Sequence, residues 1–119
     1  MMDCLMVGLG GFVGSVCRYL ISRVPLGSGS GFPVNTFVIN IAGAFAIGCI
    51  ASAAGRDLDG RLLLFLKVGI CGGFTTFSTF SLETARLVEG GQWMTAALYV
   101  AASAGLGALA VFTAQYLMR

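Results

Sequence analysis

Four long apolar stretches occupy most of this 119-residue chain. They cover about residues 4–23, 32–54, 62–88 and 93–118, and short polar or glycine-rich connections separate them. At roughly 1.5 Å of rise per residue, about 20 helical residues cross the hydrocarbon core of a bilayer. We therefore predict an all-α membrane protein whose four transmembrane helices form one domain over residues 1–119.

The bulk composition excludes an ordinary soluble domain. Hydrophobic residues make up 57% of the chain and charged residues only 10%, whereas soluble proteins carry roughly 25% charged residues. Histidine is absent and carboxylates are few, so most hydrolytic and redox chemistries lack their usual groups. We predict that the protein is not an enzyme and binds no nucleic acid.

The third apolar stretch contains an unusual run, GGFTTFSTFS, at residues 72–81. Adjacent glycines weaken a helix, and non-helical backbone at membrane depth persists only where it is buried in protein or lines a wet cavity. We predict that the third helix is broken at its middle, over residues 72–75. The backbone carbonyls released there need a partner, which is a neighbouring helix, water or a monovalent cation.

Basic residues are nearly balanced between the two sides of the membrane that four spans imply. Four lie on the side of the termini and three on the opposite side: Arg56, Arg61, Lys67 and Arg119 against Arg18, Arg23 and Arg86. This balance fits either a weak positive-inside bias or copies that insert in both orientations and pair antiparallel. Because four short helices can hardly enclose a polar path alone, we predict an antiparallel dual-topology homodimer.

Polar and phenyl side chains recur at helical spacing in three of the predicted spans. Phenyl ring edges carry partial positive charge, and hydroxyl or amide donors replace part of a water shell. A face of both kinds without basic residues suits a small, hard anion. The alternatives are packing for the phenylalanines and interhelical hydrogen bonding for the amide. The candidates are Thr36, Asn40, Thr76, Phe77, Ser78, Thr79, Phe80, Glu83, Tyr99 and Ser103.

Two ionisable residues near the ends of predicted spans each have two interpretations. Glu83 is either an interfacial residue or an organiser of hydrogen bonds along the polar face of the third span. Arg18 either snorkels toward the interface as a structural residue or attracts anions into a vestibule. The sequence alone leaves both questions open.

Three blocks of the chain resemble the Fluc (CrcB-type) fluoride channel family. They are GGFVGSVCRY at residues 10–19, NTFVINIAGAFAIG at 35–48 and GICGGFTTFSTFSLE at 69–83, and the third is highly specific. The resemblance implies an antiparallel dual-topology homodimer in the lipid of the cell (inner or plasma) membrane, with two fluoride pores. It also implies the function, which is passive escape of fluoride from the cytoplasm.

The same resemblance implies roles for individual residues. Phe77 and Phe80 would line the pore together with the amide of Asn40. A structural sodium ion would lie where the two broken third helices meet. The other implied residues are Gly72 and Thr75 as carbonyl donors to sodium, Arg18 at the vestibule, and Thr36, Thr79, Glu83, Tyr99 and Ser103 along a polar track.

A small multidrug-resistance-type proton-coupled exporter is the main alternative function, because such proteins also have four helices and often dual topology. They resemble one another in a carboxylate deep in the first span, which exchanges protons for cationic drugs. Here the first span has only Asp3, at its start. A third class, a non-transporting assembly subunit, accounts for small-xxx-small pairs such as Gly10 and Gly14 but not for the TTFSTF run.

Overall fold

The computed structural model describes all 119 residues, and its regular structure is entirely helical. Four helices are long and apolar enough to cross a membrane, and we call them spans one to four: Met2–Ser22, Val34–Ala54, Gly60–Glu89 and Trp93–Leu117. The predicted all-α membrane architecture with four spans is confirmed. Spans one and three end, and spans two and four begin, at the same end of the molecule.

Glycines and one side-chain amide shape the connection between spans one and two. Gly27 and Gly31 have positive φ angles of 62° and 76°, which other residues adopt only at a cost. The side-chain amide of Asn35 donates to the carbonyls of Ile21 and Val24, at 2.9 and 2.6 Å. These bonds satisfy carbonyls at the end of span one and hold the start of span two against it.

Span one packs on span three through direct contact between glycine backbones. A Cβ added at Gly69 would lie 2.7 Å from the Cα of Gly10, and one added at Gly73 would lie 2.6 Å from the carbonyl oxygen of Gly11. Gly10 and Gly14 are the two buried residues of span one. The small residues of the sequence therefore serve close helix packing, as in other membrane helix pairs.

Span three is interrupted after residue 74. Thr75 and Thr76 have extended backbone, with ψ angles of 156° and 117°. The predicted break in the third helix is confirmed. In chain order the span consists of a helical turn at Gly60–Leu63, a π-helix at Leu64–Cys71, a last turn at Gly72–Phe74 and, beyond the break, an α-helix at Phe77–Glu89.

The break lies later in the chain than adjacent glycines predict. Gly72 and Gly73 are helical, and the extended residues are Thr75 and Thr76. The predicted range, residues 72–75, therefore includes the extended Thr75, but it misses Thr76 and its two glycines are helical. Gly73 remains helical because its missing side chain lets span three touch Gly11 of span one. This packing outweighs the helical penalty of a glycine, which is about 1 kcal/mol.

Candidate ion pathway

One side chain of span two holds the break in span three. The backbone amide of Thr76 donates to Oδ1 of Asn40 (2.9 Å), and Nδ2 of Asn40 donates to the carbonyl of Thr76 (3.2 Å). One amide thus satisfies both backbone groups of an extended residue, and unpaired groups at this depth would be costly. Asn40 therefore makes interhelical hydrogen bonds, which the sequence analysis gave as the alternative to lining an anion path.

Backbone carbonyls at the break lose their helical donors. In a continuous helix the carbonyl of Gly72 would accept from the amide of Thr76, and that of Thr75 from the amide of Thr79. Those amides donate instead to Asn40 (2.9 Å) and to the hydroxyl of Thr76 (3.2 Å). Gly72 and Thr75, the two residues that the resemblance assigns to sodium, are therefore among those with released carbonyls.

Thr76 also begins the second half of span three as a helix cap. Its hydroxyl oxygen accepts from the amide of Thr79, and the same hydroxyl donates to the Thr79 hydroxyl at 3.1 Å. The hydroxyl of Ser78 lies 3.4 Å from that of Thr76. The sequence prediction put Thr76 and Thr79 on one stripe and missed the cap. The sequence pattern that indicates this cap is a threonine immediately before a helix, because its hydroxyl can accept from the backbone amide three residues later.

Arg18 of span one reaches the end of the first half of span three. Its Nε donates to the carbonyl of Gly73 at 3.0 Å. The last carbonyls of a helix carry partial negative charge, so a cation is favourable there. The half-buried Arg18 thus stabilises the broken end of span three, and it lines neither of the two main cavities.

Four aromatic side chains form a continuous row beside the break. The ring centroids are 5.8 Å apart for Phe77 and Phe80, 4.9 Å for Phe80 and Tyr99, and 5.3 Å for Tyr99 and Phe32. Phe77 is 79% exposed, whereas Tyr99 is completely buried. The row therefore runs from the surface of the chain into its interior.

The buried end of this row is polar. The hydroxyl of Tyr99 donates to Oε1 of Glu83 at 3.4 Å. The carboxylate of Glu83 therefore forms a hydrogen bond with a buried side chain. Thr36, one of the predicted polar residues, is also buried. The geometry thus favours the organising role for Glu83 over a purely interfacial one.

Two cavities flank the aromatic row. The larger has a volume of about 800 Å³ and is open to the surroundings. The smaller, of about 350 Å³, has Glu83 and Phe32 in its wall. The oxygen of Ser103 is buried without a hydrogen-bond partner. The larger cavity brings together seven of the predicted site residues: Asn40, Gly72, Thr75, Thr76, Phe77, Phe80 and Ser103.

Comparison with known proteins identifies the family. The family model described as "CrcB-like protein, Camphor Resistance (CrcB)" matches residues 5–115. The chain belongs to the CrcB family. A "Fluoride-specific ion channel FluC" from Chlorobaculum tepidum is 44% identical, over 100% of this chain and 96% of its own length. FluC proteins from Rhizobium meliloti and Paramagnetospirillum magneticum are 43% and 44% identical, over 97% and 94% of this chain and 94% and 91% of their own lengths. The resemblance seen in the sequence is confirmed.

Two basic residues of this CrcB chain line cavities that the sequence did not reveal. Lys67 lies in the wall of the larger cavity and Arg86 in the wall of the smaller. Sequence reasoning used both only to count charges on the two sides of the membrane. Lys67 carried a usable signal, because an ionisable residue within an apolar span marks a candidate functional position.

Proposed function

We propose that this CrcB chain forms a passive, fluoride-selective channel in the cell membrane, through which fluoride leaves the cytoplasm and its toxicity is reduced. Relatives at 43% and 44% identity that carry the name fluoride-specific ion channel support the proposal. The observation that carries it in this chain is the aromatic row of Phe77, Phe80, Tyr99 and Phe32. The row connects the larger cavity to Glu83 and contains no basic side chain.

Such a row suits a small anion that must be bound and then released. The ring edges of Phe77 and Phe80 offer partial positive charge, and hydroxyls such as that of Ser103 offer hydrogen bonds in place of water. No ammonium or guanidinium lies in the row to hold the anion too tightly. Fluoride, as a small halide, fits the short contacts that ring edges and hydroxyls provide, and a larger halide gains less from them.

A proton-coupled exporter has less support. Its mechanism requires a carboxylate deep in span one, and Asp3 is the only acid there. Asp3 is exposed at the start of the span, where its Oδ1 lies 3.7 Å from Nε of Arg61. A carboxylate at this position is solvated and paired, so it is poorly suited to carry protons across the membrane.

The partner that we propose is a second copy of the chain in the antiparallel orientation. The larger cavity is open, and its wall contains Asn40 and the two residues with released carbonyls, Gly72 and Thr75, whose polar groups would be costly against lipid. The highly exposed Phe77 lies at the same opening. A second copy would cover this opening, and the near balance of basic residues fits insertion in both orientations.

A structural sodium ion between the two copies is part of the same proposal. The carbonyls of Gly72 and Thr75 lack helical donors, and both residues line the open cavity. Two copies related by a two-fold axis would bring four such oxygens together, and a cation would relieve their mutual repulsion. No three His, Cys, Asp or Glu side chains are grouped to bind a metal. Backbone oxygens alone suit a monovalent ion better than a divalent one.

We expect the purified protein to melt at a higher temperature in sodium chloride than in equal potassium chloride or N-methylglucamine chloride. A ligand that binds only the folded state stabilises it by about 2.7 kcal/mol at 100 times its dissociation constant. Thermal melting in detergent at constant ionic strength measures the difference. Identical melting in all three salts would argue against the sodium site.

The test of the proposed function is anion efflux from liposomes that contain the purified protein. We expect fluoride to leave much faster than chloride. The flux should need no pH gradient, because span one has no acid at depth that could couple transport to protons. An ion-selective electrode records the release, and protein-free liposomes give the background. Equal rates for the two halides, or a strict need for a proton gradient, would refute the proposal.

A further inference from the structure

The smaller cavity lies at the end of the molecule where spans two and four begin. Phe32 and Glu83 form part of its wall. Phe32 is the last ring of the aromatic row and packs edge-on against Tyr99, whose hydroxyl donates to Glu83. The cavity is therefore the compartment that follows the row, on the side away from the break.

We propose that the smaller cavity is an anion-collecting mouth, in which the guanidinium of Arg86 draws a small inorganic anion toward the row. The inference deepens the proposed function and rests on it, because the anion is the one that the channel carries. Arg86 and Glu83 both line the smaller cavity, and Glu83 accepts the hydrogen bond of Tyr99 in the aromatic row. Arg86 therefore lies beside the candidate path.

The charges in this cavity require a cation if an anion is to enter. Glu83 is a carboxylate in the cavity wall, and alone it would repel an anion. Arg86 lies three residues later on the same helix and lines the same cavity. The only ion pair between side chains is that of Arg61 and Asp3. The exposed guanidinium of Arg86 makes no hydrogen bond within the chain, so it is available to an anion.

The first residues of two helices add positive electrostatic potential at the smaller cavity. Spans two and four begin after Pro33 and Gln92, which both line the cavity, and neither start has a side-chain cap. The first amides of a helix carry partial positive charge. The helix Phe77–Glu89 ends in the same place, but amides of the following turn occupy three of its last four carbonyls: Gly90 donates to Arg86 (2.9 Å), Gly91 to Val88 (3.0 Å) and Gln92 to Leu87 (2.8 Å).

A mouth of this kind supplies what the row lacks. The row of phenyl rings and hydroxyls has no basic side chain, so it releases an anion easily but does not concentrate it. An exposed guanidinium raises the local anion concentration and the rate of entry without holding the ion in a dry site. Its effect depends on long-range attraction, so added salt should screen it.

We expect Arg86→Gln to slow fluoride efflux from liposomes at least about threefold at roughly 20 mM ionic strength. At roughly 500 mM of an impermeant salt the difference from wild type should disappear, because the Debye length falls to a few ångströms. Arg23→Gln is the matched control. Arg23 lies at the same end of the molecule, donates to the hydroxyl of Tyr19 (3.0 Å) and lines neither cavity. We expect wild-type flux from it at both ionic strengths.

Gln92→Glu is a second variant that tests the same cavity with a different change. It places a negative charge in the wall at the start of span four, where a carboxylate favours the helix, so folding is not endangered. We expect a salt-dependent slowing of the same kind. Wild-type flux from both variants at low salt would overturn the mouth, and so would an equal slowing at both ionic strengths. If the wild-type protein passes chloride as fast as fluoride, the proposed function itself fails.

Discussion

Replacing Phe80 by isoleucine should slow fluoride efflux at least about tenfold and leave the protein folded. Isoleucine keeps the apolar bulk, and swaps of this kind usually cost less than about 1.5 kcal/mol of stability. The change removes the ring edge next to Tyr99 (4.9 Å between centroids) and Phe77 (5.8 Å). A barrier raised by about 1.4 kcal/mol gives a tenfold slower rate. The measurements are initial fluoride efflux from liposomes and thermal melting in detergent.

Phe77→Ile should act in the same direction, because Phe77 forms the exposed start of the row. Phe112→Ile is the matched control: Phe112 is 68% exposed on span four and lines neither cavity. It should melt and conduct like wild type. If both row variants keep wild-type flux, the phenylalanines serve packing only, and the row is not the anion path.

The four spans were predictable from sequence because length and hydropathy are local properties. An apolar stretch of about 20 residues has one stable arrangement in a bilayer, which is a helix across it. The interruption of span three was also predictable, since GGFTTFSTFS suits neither a lipid-facing helix nor a soluble one. Its position was not predictable in the same way.

The position of the break depends on contacts that are distant in sequence. Gly73 remains helical because it meets Gly11 of span one. Thr76 is extended because Asn40, 36 residues earlier, satisfies both of its backbone groups. Local propensity gives the cost of a glycine in a helix, but it does not include the gain from a backbone contact or from an amide of another span.

The candidate site was predictable as a set of residue types and only partly as an arrangement. Phenyl and hydroxyl residues at helical spacing predicted that Phe77 and Phe80 lie together, and their rings are 5.8 Å apart. The contact of Arg18 with Gly73 and the place of Arg86 in the smaller cavity follow from how the spans and turns pack. Charge counting could not distinguish these two arginines.

Replacing Asn40 by leucine should lower the melting temperature of the protein and also reduce fluoride flux. Leucine is similar in size but makes no hydrogen bond. The amide and the carbonyl of Thr76 would lose their partners within the membrane, at about 1–3 kcal/mol for each unpaired group. The break would then shift toward a conformation that satisfies these groups, and the cavity wall beside Phe77 would change with it. Thermal melting in detergent and liposome efflux measure the two effects.

Asn35→Leu is the matched control, because Asn35 lies on the same helix and also makes two hydrogen bonds to backbone. Its partners are the carbonyls of Ile21 and Val24 at the exposed end of span one, where water can replace the lost amide. Its melting temperature should fall less than that of Asn40→Leu, and its flux should stay near wild type. Equal losses in the two variants would mean that depth in the membrane does not decide the cost. Wild-type melting with lost flux in Asn40→Leu would mean that the amide acts on the anion and that other contacts hold the break.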